Sequence, residues 1–186
     1  MPDSTEITMF VCANCARPGK KTASGSRARP AVPDFDLPGR VQQIIVPCTG
    51  RLQPEHILKA FESGSSLVSV VACREDNCHF VEGSRRCALR LDFIRSILKE
   101  IGLGEERLLL SHLPGSASED MALAAGMPAP VNGAGSLAAQ IASIRDQAVQ
   151  ALRCLPPNPL LQFSPASLNG DAAQQEFNLG EDDGDE

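Results

Sequence analysis

At 186 residues the chain is long enough to bury a core without covalent staples, and its seven cysteines, an odd number at spacings unlike a small secreted framework, read as reduced thiols. The formal charge of -6 sits in one place: "GDAAQQEFNLGEDDGDE" at the end holds seven of the 23 acids and none of the 17 bases, leaving 16 acids against 17 bases in the body. A nearly neutral body without Tyr or Trp carries neither the basic footprint nor the stacking platforms of a nucleic-acid binder.

The β-formers Ile7 to Val11 run directly into Cys12 and predict a first strand that ends at the cysteine. "RPGKKTASGSRARPAVPDFDLPG" follows, rich in Gly, Pro, Ser and positive charge, and predicts a long loop. Val41 and Ile44 to Val46 predict strand two, which Pro47 closes just before Cys48. "QPEHILKAFESG" predicts a short helix with Pro54 in its first turn, Ile57, Leu58 and Phe61 on one face, and Gly64 at its end. "SLVSVVAC" is a continuous apolar run of the kind parallel sheets bury on both faces, and it ends at Cys73. Cys87, Leu91, Ile94, Leu98 and Ile101 predict a buried stripe on a helix from about Ser84 to Ile101, with Ser84 as cap and Gly102 as stop. "ERLLLSHL" predicts strand four. From Pro114 to Gly135 the chain turns to Ala, Gly, Ser and Pro, with one short helix expected after Ser118. A last helix over 136–153 buries Leu137, Ile141, Ile144, Ala148 and Leu152, and the composition from 156 onward predicts a disordered acidic tail.

Strands alternating with helices predict an α/β fold, a Rossmann-like open parallel sheet with right-handed crossovers and helices on its faces. The expected organisation is one domain over 1–155 and a tail over 156–186. The opening "MPDSTEITMF" lacks a basic region followed by a long apolar one, and the apolar runs are strand-sized. No signal peptide or membrane span is expected, and the location expected is the cytoplasm.

Three strands end at or beside a cysteine: Cys12, Cys48 and Cys73. In an open parallel sheet ligands bind outside the carboxyl ends of the strands, so these thiols are expected to gather at one edge. Cys15 and Cys78 follow on the loops after the first and third strands, giving C-x2-C, 32 residues, C, 24 residues, C-x4-C. Thiolates in such number select zinc, copper(I) or an iron–sulfur cluster. A single buried cysteine is usually a small apolar side chain, but five at strand ends and following loops argue for a site. A structural zinc favours compact knuckles from one or two segments, and a redox dithiol at "CANC" should open a helix that "ARPGKK" does not resemble. Cys87 reads as packing and Cys154 as incidental. His79 is a weaker ligand candidate because the thiols suffice, and His56 and His112 have no cysteine partner nearby in sequence. Lys20, Lys21, Arg27 and Arg29 read as a solvated loop, and Glu82, Arg85 and Arg86 fall next to the expected site.

"FVCANC", "IIVPCTGRLQPEHILKAFESG", "VVACREDNCHFVEGSRR" and "ILKEIGLGEERLLL", in this order, resemble the delta subunit of methyl-viologen-reducing hydrogenase and its homologues. The resemblance covers about residues 6–113 and extends toward the helix at 136–153; its most specific parts are "PC-[ST]-GR" followed by "C-x4-CH-[FY]-x-EG". It implies a [2Fe-2S] protein of anaerobic metabolism, an electron-transfer subunit of an oxidoreductase complex rather than a free-standing enzyme. Its implied partners are a donor module of hydrogenase, formate dehydrogenase or NADH-oxidising type and a heterodisulfide reductase A-like flavoprotein. The matching cysteines are Cys12, Cys15, Cys48, Cys73 and Cys78, four of which are expected as ligands. The chain departs from the family at "CANCARP", where C-N-W-C-S-Y-like aromatics are usual, and in the 114–135 segment and the acidic tail. Other readings that remain are a structural zinc adaptor and a dithiol enzyme using Cys12 and Cys15.

Overall fold

The run "LVSVVAC" forms strand β3 (Leu67–Cys73), buried at every residue. A strand can be apolar on both sides only where both faces of its sheet are covered. The computed structural model, which describes residues 6–15, 33–75, 78–113 and 137–162, shows that covering. β3 pairs in parallel with β1 (Glu6–Cys12) and with β4 (Leu108–Leu113), and β1 pairs in parallel with β2 (Arg40–Val46), so the order is β2-β1-β3-β4. β2 is an edge strand, and its partly exposed residues follow from that position.

Helices α1 (Pro54–Glu62) and α2 (Gly83–Glu100) cover one face, around Phe10, Ile57, Phe61, Val70, Leu91 and Ile94. Helix α3 (Leu137–Cys154) covers the other, around Met9, Val11, Val71, Ile144 and Ala148, together with Phe35 from the segment that leads into β2. The segment 33–39 that leads into β2 thus packs on one face, while α2 carries the chain from β3 to β4 on the opposite face. The carboxyl ends of the neighbouring strands β1 and β3 lie at the edge where open α/β sheets bind ligands.

The predicted elements lie close to the observed ones. Cys87, Leu91, Ile94 and Leu98 are buried as the helical period requires, but Ile101 is exposed. α2 ends at Glu100, and Gly102 adopts a φ of +78°, which stops the helix before Ile101 can face the core. Ser84 is not the helix cap: Glu82 occupies that position, and the Ser84 hydroxyl donates to the carbonyl of Cys73. Lys20, Lys21, Arg27, Arg29, the helix expected after Ser118 and residues 163–186 of the expected tail lie outside the described residues.

The amino ends of β3 and β4 are tied together by a buried cation. Arg107, 1% exposed, donates from Nε to the carbonyl of Leu103 (2.7 Å), from Nη1 to Ser66 (3.0 Å) and from Nη2 to Pro156 (2.6 Å). Asn158, in the stretch where the sequence places the start of the tail, is also buried and donates to the carbonyls of Phe61 and Ser65. A guanidinium fork satisfies three diverging carbonyls that no other side chain spans. Arg107→Ala is expected to cost about 2–4 kcal/mol, because several buried carbonyls lose charged donors at once. Urea unfolding of the metal-free chain measures this, and a loss below about 1 kcal/mol contradicts the clamp.

Candidate metal centre

Cys12 and Cys73 are the last residues of the paired strands β1 and β3, and parallel pairing brings their ends side by side. Their sulfurs are 3.5 Å apart. A turn closed by the Cys15 N–H donating to the Cys12 carbonyl (2.9 Å) folds Cys15 back over the strand end, where its Sγ lies 3.1 Å from that of Cys73. The three sulfurs all lie within 4.8 Å of one another, and all three residues are buried. Thiolates bound at about 2.3 Å to one tetrahedral metal sit roughly 3.8 Å apart, so this triad stands near the separation that a soft ion requires.

Cys48 and Cys78 form the neighbouring part of the site. Cys48 follows β2 in an extended conformation and opens a 3-10 turn at Thr49–Arg51, where its Sγ accepts from the Gly50 N–H at 3.3 Å. Cys78 lies on the loop after β3, and the Val81 N–H closes a turn onto its carbonyl just before α2 begins. Both sulfurs lie against Gly83, the first residue of α2: a Cβ built there would stand 2.5 Å from Cys48 Sγ and 3.3 Å from Cys78 Sγ. Asn14 connects the two parts, donating from Nδ2 to the Pro47 carbonyl at 3.1 Å while lying 4.0 Å from Cys12 Sγ.

The electrostatics of the triad is that of one thiolate held by two thiols. Hydrogen bonds from Cys15 and then Cys73 lower Cys12 to about 2, outweighing the upward push of burial. The same bond to Cys12 raises Cys15 far above the ordinary thiol range and pushes Cys73 up to about 12. Burial raises Cys48, partly offset by the Gly50 N–H, and the nearby Cys12 and Cys78 add to the rise. Cys78 likewise contributes to the rise at Cys73, so the two parts share one electrostatic neighbourhood.

The remaining candidates lie elsewhere or do other work. Cys87 packs in the core beneath α2, and burial raises it to about 11, with a hydrogen bond to Thr49 acting the other way. Cys154 is exposed at the end of α3. His79 is exposed and stacks edge-on against Phe80 at 4.9 Å. His56 accepts the Gln53 N–H through Nδ1 and so caps α1, and His112 is exposed on β4. Glu82 and Arg86 form an exposed ion pair at 2.9 Å beside the site. Sequence reasoning missed Gly50, Gly83, Ser84 and Arg90 as structural parts of the centre. The available signal was a glycine within five residues of two of the cysteines, in "CTG" and "CHFVEG".

With Cys12 lowered and Cys15 and Cys73 raised, metal uptake by this triad is expected to displace the protons of Cys15 and Cys73. The affinity of the reduced, metal-free chain for Zn2+ is therefore expected to rise with pH, about tenfold per pH unit for each proton displaced. Calorimetric titration in buffers of different ionisation enthalpy counts these protons. An affinity that is flat over roughly pH 6 to 8 contradicts the one-thiolate arrangement.

Comparison with known proteins agrees with this chemistry. A family model for the methyl-viologen-reducing hydrogenase delta subunit matches residues 7–126. The A-type subunit of the ferredoxin:CoB-CoM heterodisulfide reductase of Methanosarcina mazei is 38% identical over 102 residues, covering 55% of this chain and 12% of that protein. The F420-non-reducing hydrogenase iron-sulfur subunit of Archaeoglobus profundus is 34% identical over 82 residues, 44% of this chain and 60% of its own. The F420-non-reducing hydrogenase vhu iron-sulfur subunit of Methanopyrus kandleri is 29% identical over 125 residues, 67% of this chain and 89% of its own. The chain thus spans about an eighth of the heterodisulfide reductase protein and more than half of each hydrogenase protein. With residues 7–126 matched, well over half of its length, the chain belongs to the methyl-viologen-reducing hydrogenase delta subunit family.

Proposed function

We propose that the chain is an iron–sulfur electron-transfer subunit that carries electrons from a hydrogenase, formate dehydrogenase or NADH-oxidising module to a heterodisulfide reductase A-like flavoprotein in the cytoplasm. The observation that carries this reading is the convergence of Cys12, Cys15 and Cys73 within 4.8 Å at the carboxyl edge of β1 and β3. Cys48 and Cys78 lie beside them against Gly83. The donor set is entirely sulfur, which suits a soft metal or an iron–sulfur centre and excludes the oxygen-rich sites of magnesium or calcium. Four of the five cysteines would hold a [2Fe-2S] cluster, which supplies one-electron transfer when bound.

The chain's own residues then hold and tune the group. Burial of Cys12, Cys15 and Cys73 keeps water from the sulfurs. The Gly50 N–H at Cys48 Sγ offers a hydrogen bond that favours the more negative, reduced state. Support for the partner comes from the Methanosarcina relatives, in which a segment similar to this chain forms 12% of an A-type heterodisulfide reductase protein. A domain that is covalently joined to such a protein in one organism is a natural neighbour of it when carried on a separate chain. Among the described residues no helix is long and apolar enough to cross a membrane.

A zinc-holding adaptor is the second reading, favoured by the fit of Cys12, Cys15 and Cys73 to a single tetrahedral ion. A dithiol enzyme is less well supported, since Cys12 and Cys15 are only 1% and 5% exposed and a disulfide substrate needs access to the attacking sulfur.

Anaerobic purification is expected to yield about two iron and two acid-labile sulfide per chain, with a rhombic EPR signal on reduction. Zinc without sulfide would overturn the relay reading in favour of the adaptor. Single Ser substitutions at Cys12, Cys15, Cys48, Cys73 and Cys78 should abolish or shift that signal at four positions and spare it at one. Cys154→Ser should leave it unchanged. An intact signal in either Cys48→Ser or Cys73→Ser contradicts the strand-end centre.

A further inference from the structure

We infer that Gly83 and Gly50 are positioning residues of the metal centre: bare backbone at their contact lets the Cys48 and Cys78 sulfurs close on the amino end of α2. This rests on the reading of the five cysteines as a metal centre. Neither glycine is required by its backbone, because the left-handed glycines of the described residues are Gly39, Gly64, Gly102 and Gly104. Gly83 is helical, where glycine is intrinsically less favourable than alanine. Space is the remaining physical reason for glycine at both positions.

The space is fully used. A Cβ on Gly83 would stand 2.5 Å from Cys48 Sγ, nearer than real Cβ contacts, and 3.3 Å from Cys78 Sγ. Cys48 is 5% exposed and its sulfur is held by the Gly50 N–H, so a shift of that sulfur gives up a hydrogen bond inside a packed site. A Cβ on Gly50 would meet the Gly83 Cα and carbonyl oxygen, each at 2.8 Å, and backbone atoms cannot turn aside as a flexible side chain can.

α2 is also fastened to the other carriers of the sulfurs. The Ser84 hydroxyl donates to the carbonyl of Cys73, and Arg90 donates from Nη1 to the carbonyls of Gly50 and, at 3.1 Å, Leu52. The first two turns of α2 therefore hold the end of β3 and the Cys48 turn as one body, with the Cys78 sulfur lying against it. The glycine contact sets how closely that body closes. A methyl group at either position would spread Cys48 away from Cys78 and Cys73 while the rest of the sheet stays as it is.

The test uses the full chain with Gly83→Ala, Gly50→Ala and the exposed Arg86→Ala as a same-turn control. Reduced, metal-free protein is titrated with Zn2+ against a chromophoric chelator, and iron–sulfide-reconstituted protein is examined by EPR and redox titration. Both glycine variants are expected to bind Zn2+ about 10–100-fold more weakly, the range seen when outer-shell support is lost, and to show shifted g-values. Arg86→Ala should match the parent. Wild-type Zn2+ affinity, g-values and potential in both glycine variants would overturn the inference.

Thermal unfolding of the metal-free chain provides a test without metal. Cys48→Ala combined with Gly83→Ala should regain the stability that Gly83→Ala loses, because the clash is with that sulfur. Strictly additive effects would overturn the inference, even if the single variant is poorly folded. Failure of the parent chain to take up either metal would instead remove the metal reading, and this packing cycle would still decide the glycine contact.

Discussion

Parallel pairing of β1 with β3, from Ile7↔Leu67 to Val11↔Val71, is the constraint on which the centre depends. It levels two strand ends that each finish at a cysteine, and the level extends outward through Cys12↔Val46 on one side and Cys73↔Leu113 on the other. A slip of one residue would turn every side chain of a strand to the opposite face, separating the thiols and exposing the buried row with them. The hydrophobic pattern of β3 and the geometry of the thiols are therefore fixed by the same register, and selection for a packed sheet also maintains the site.

Burial pushes the thiols of Cys12, Cys15, Cys48 and Cys73 upward, as it does that of Cys87 in the neighbouring core, and the hydrogen bonds among the sulfurs decide the outcome. At Cys12 the hydrogen bonds from Cys15 and Cys73 outweigh burial, and the negative charge settles there. The fold thus gathers three sulfurs in a buried edge, with the Cys12 thiol lowered well below the ordinary range and those of Cys15 and Cys73 raised above it. A site held this way loses little conformational freedom on loading.

The two ends of the sheet have different work. At the amino ends of β3 and β4, Arg107 and Asn158 join Ser66, Leu103, Phe61 and the segment past α3 through hydrogen bonds to backbone carbonyls. At the carboxyl ends, the cysteines and the first turns of α2 form the chemical edge. Anchoring and the cysteine edge thus lie at opposite ends of the strands.

The sequence alone determined most of the secondary structure and the identity of the thiol set. The apolar run of β3, the helical spacing of Cys87, Leu91, Ile94 and Leu98, and cysteines at strand ends are local patterns, and local patterns are read from neighbouring residues. Ile101 escaped the pattern because the period continues one step past the residue where Gly102 stops the helix. The tertiary structure decided what lies near what: that Cys12, Cys15 and Cys73 form the close triad, that Cys48 and Cys78 meet at Gly83, and that Ser84 serves the Cys73 carbonyl rather than its own helix end. It likewise decided the role of Arg107, an ordinary charge in the sequence and a buried carbonyl clamp in the fold. These contacts join residues as far apart as Cys15 and Cys73, separated by 58 positions. Such distances close only once the strand order β2-β1-β3-β4 is chosen, and that choice is made by burial of the whole sheet rather than by any one segment.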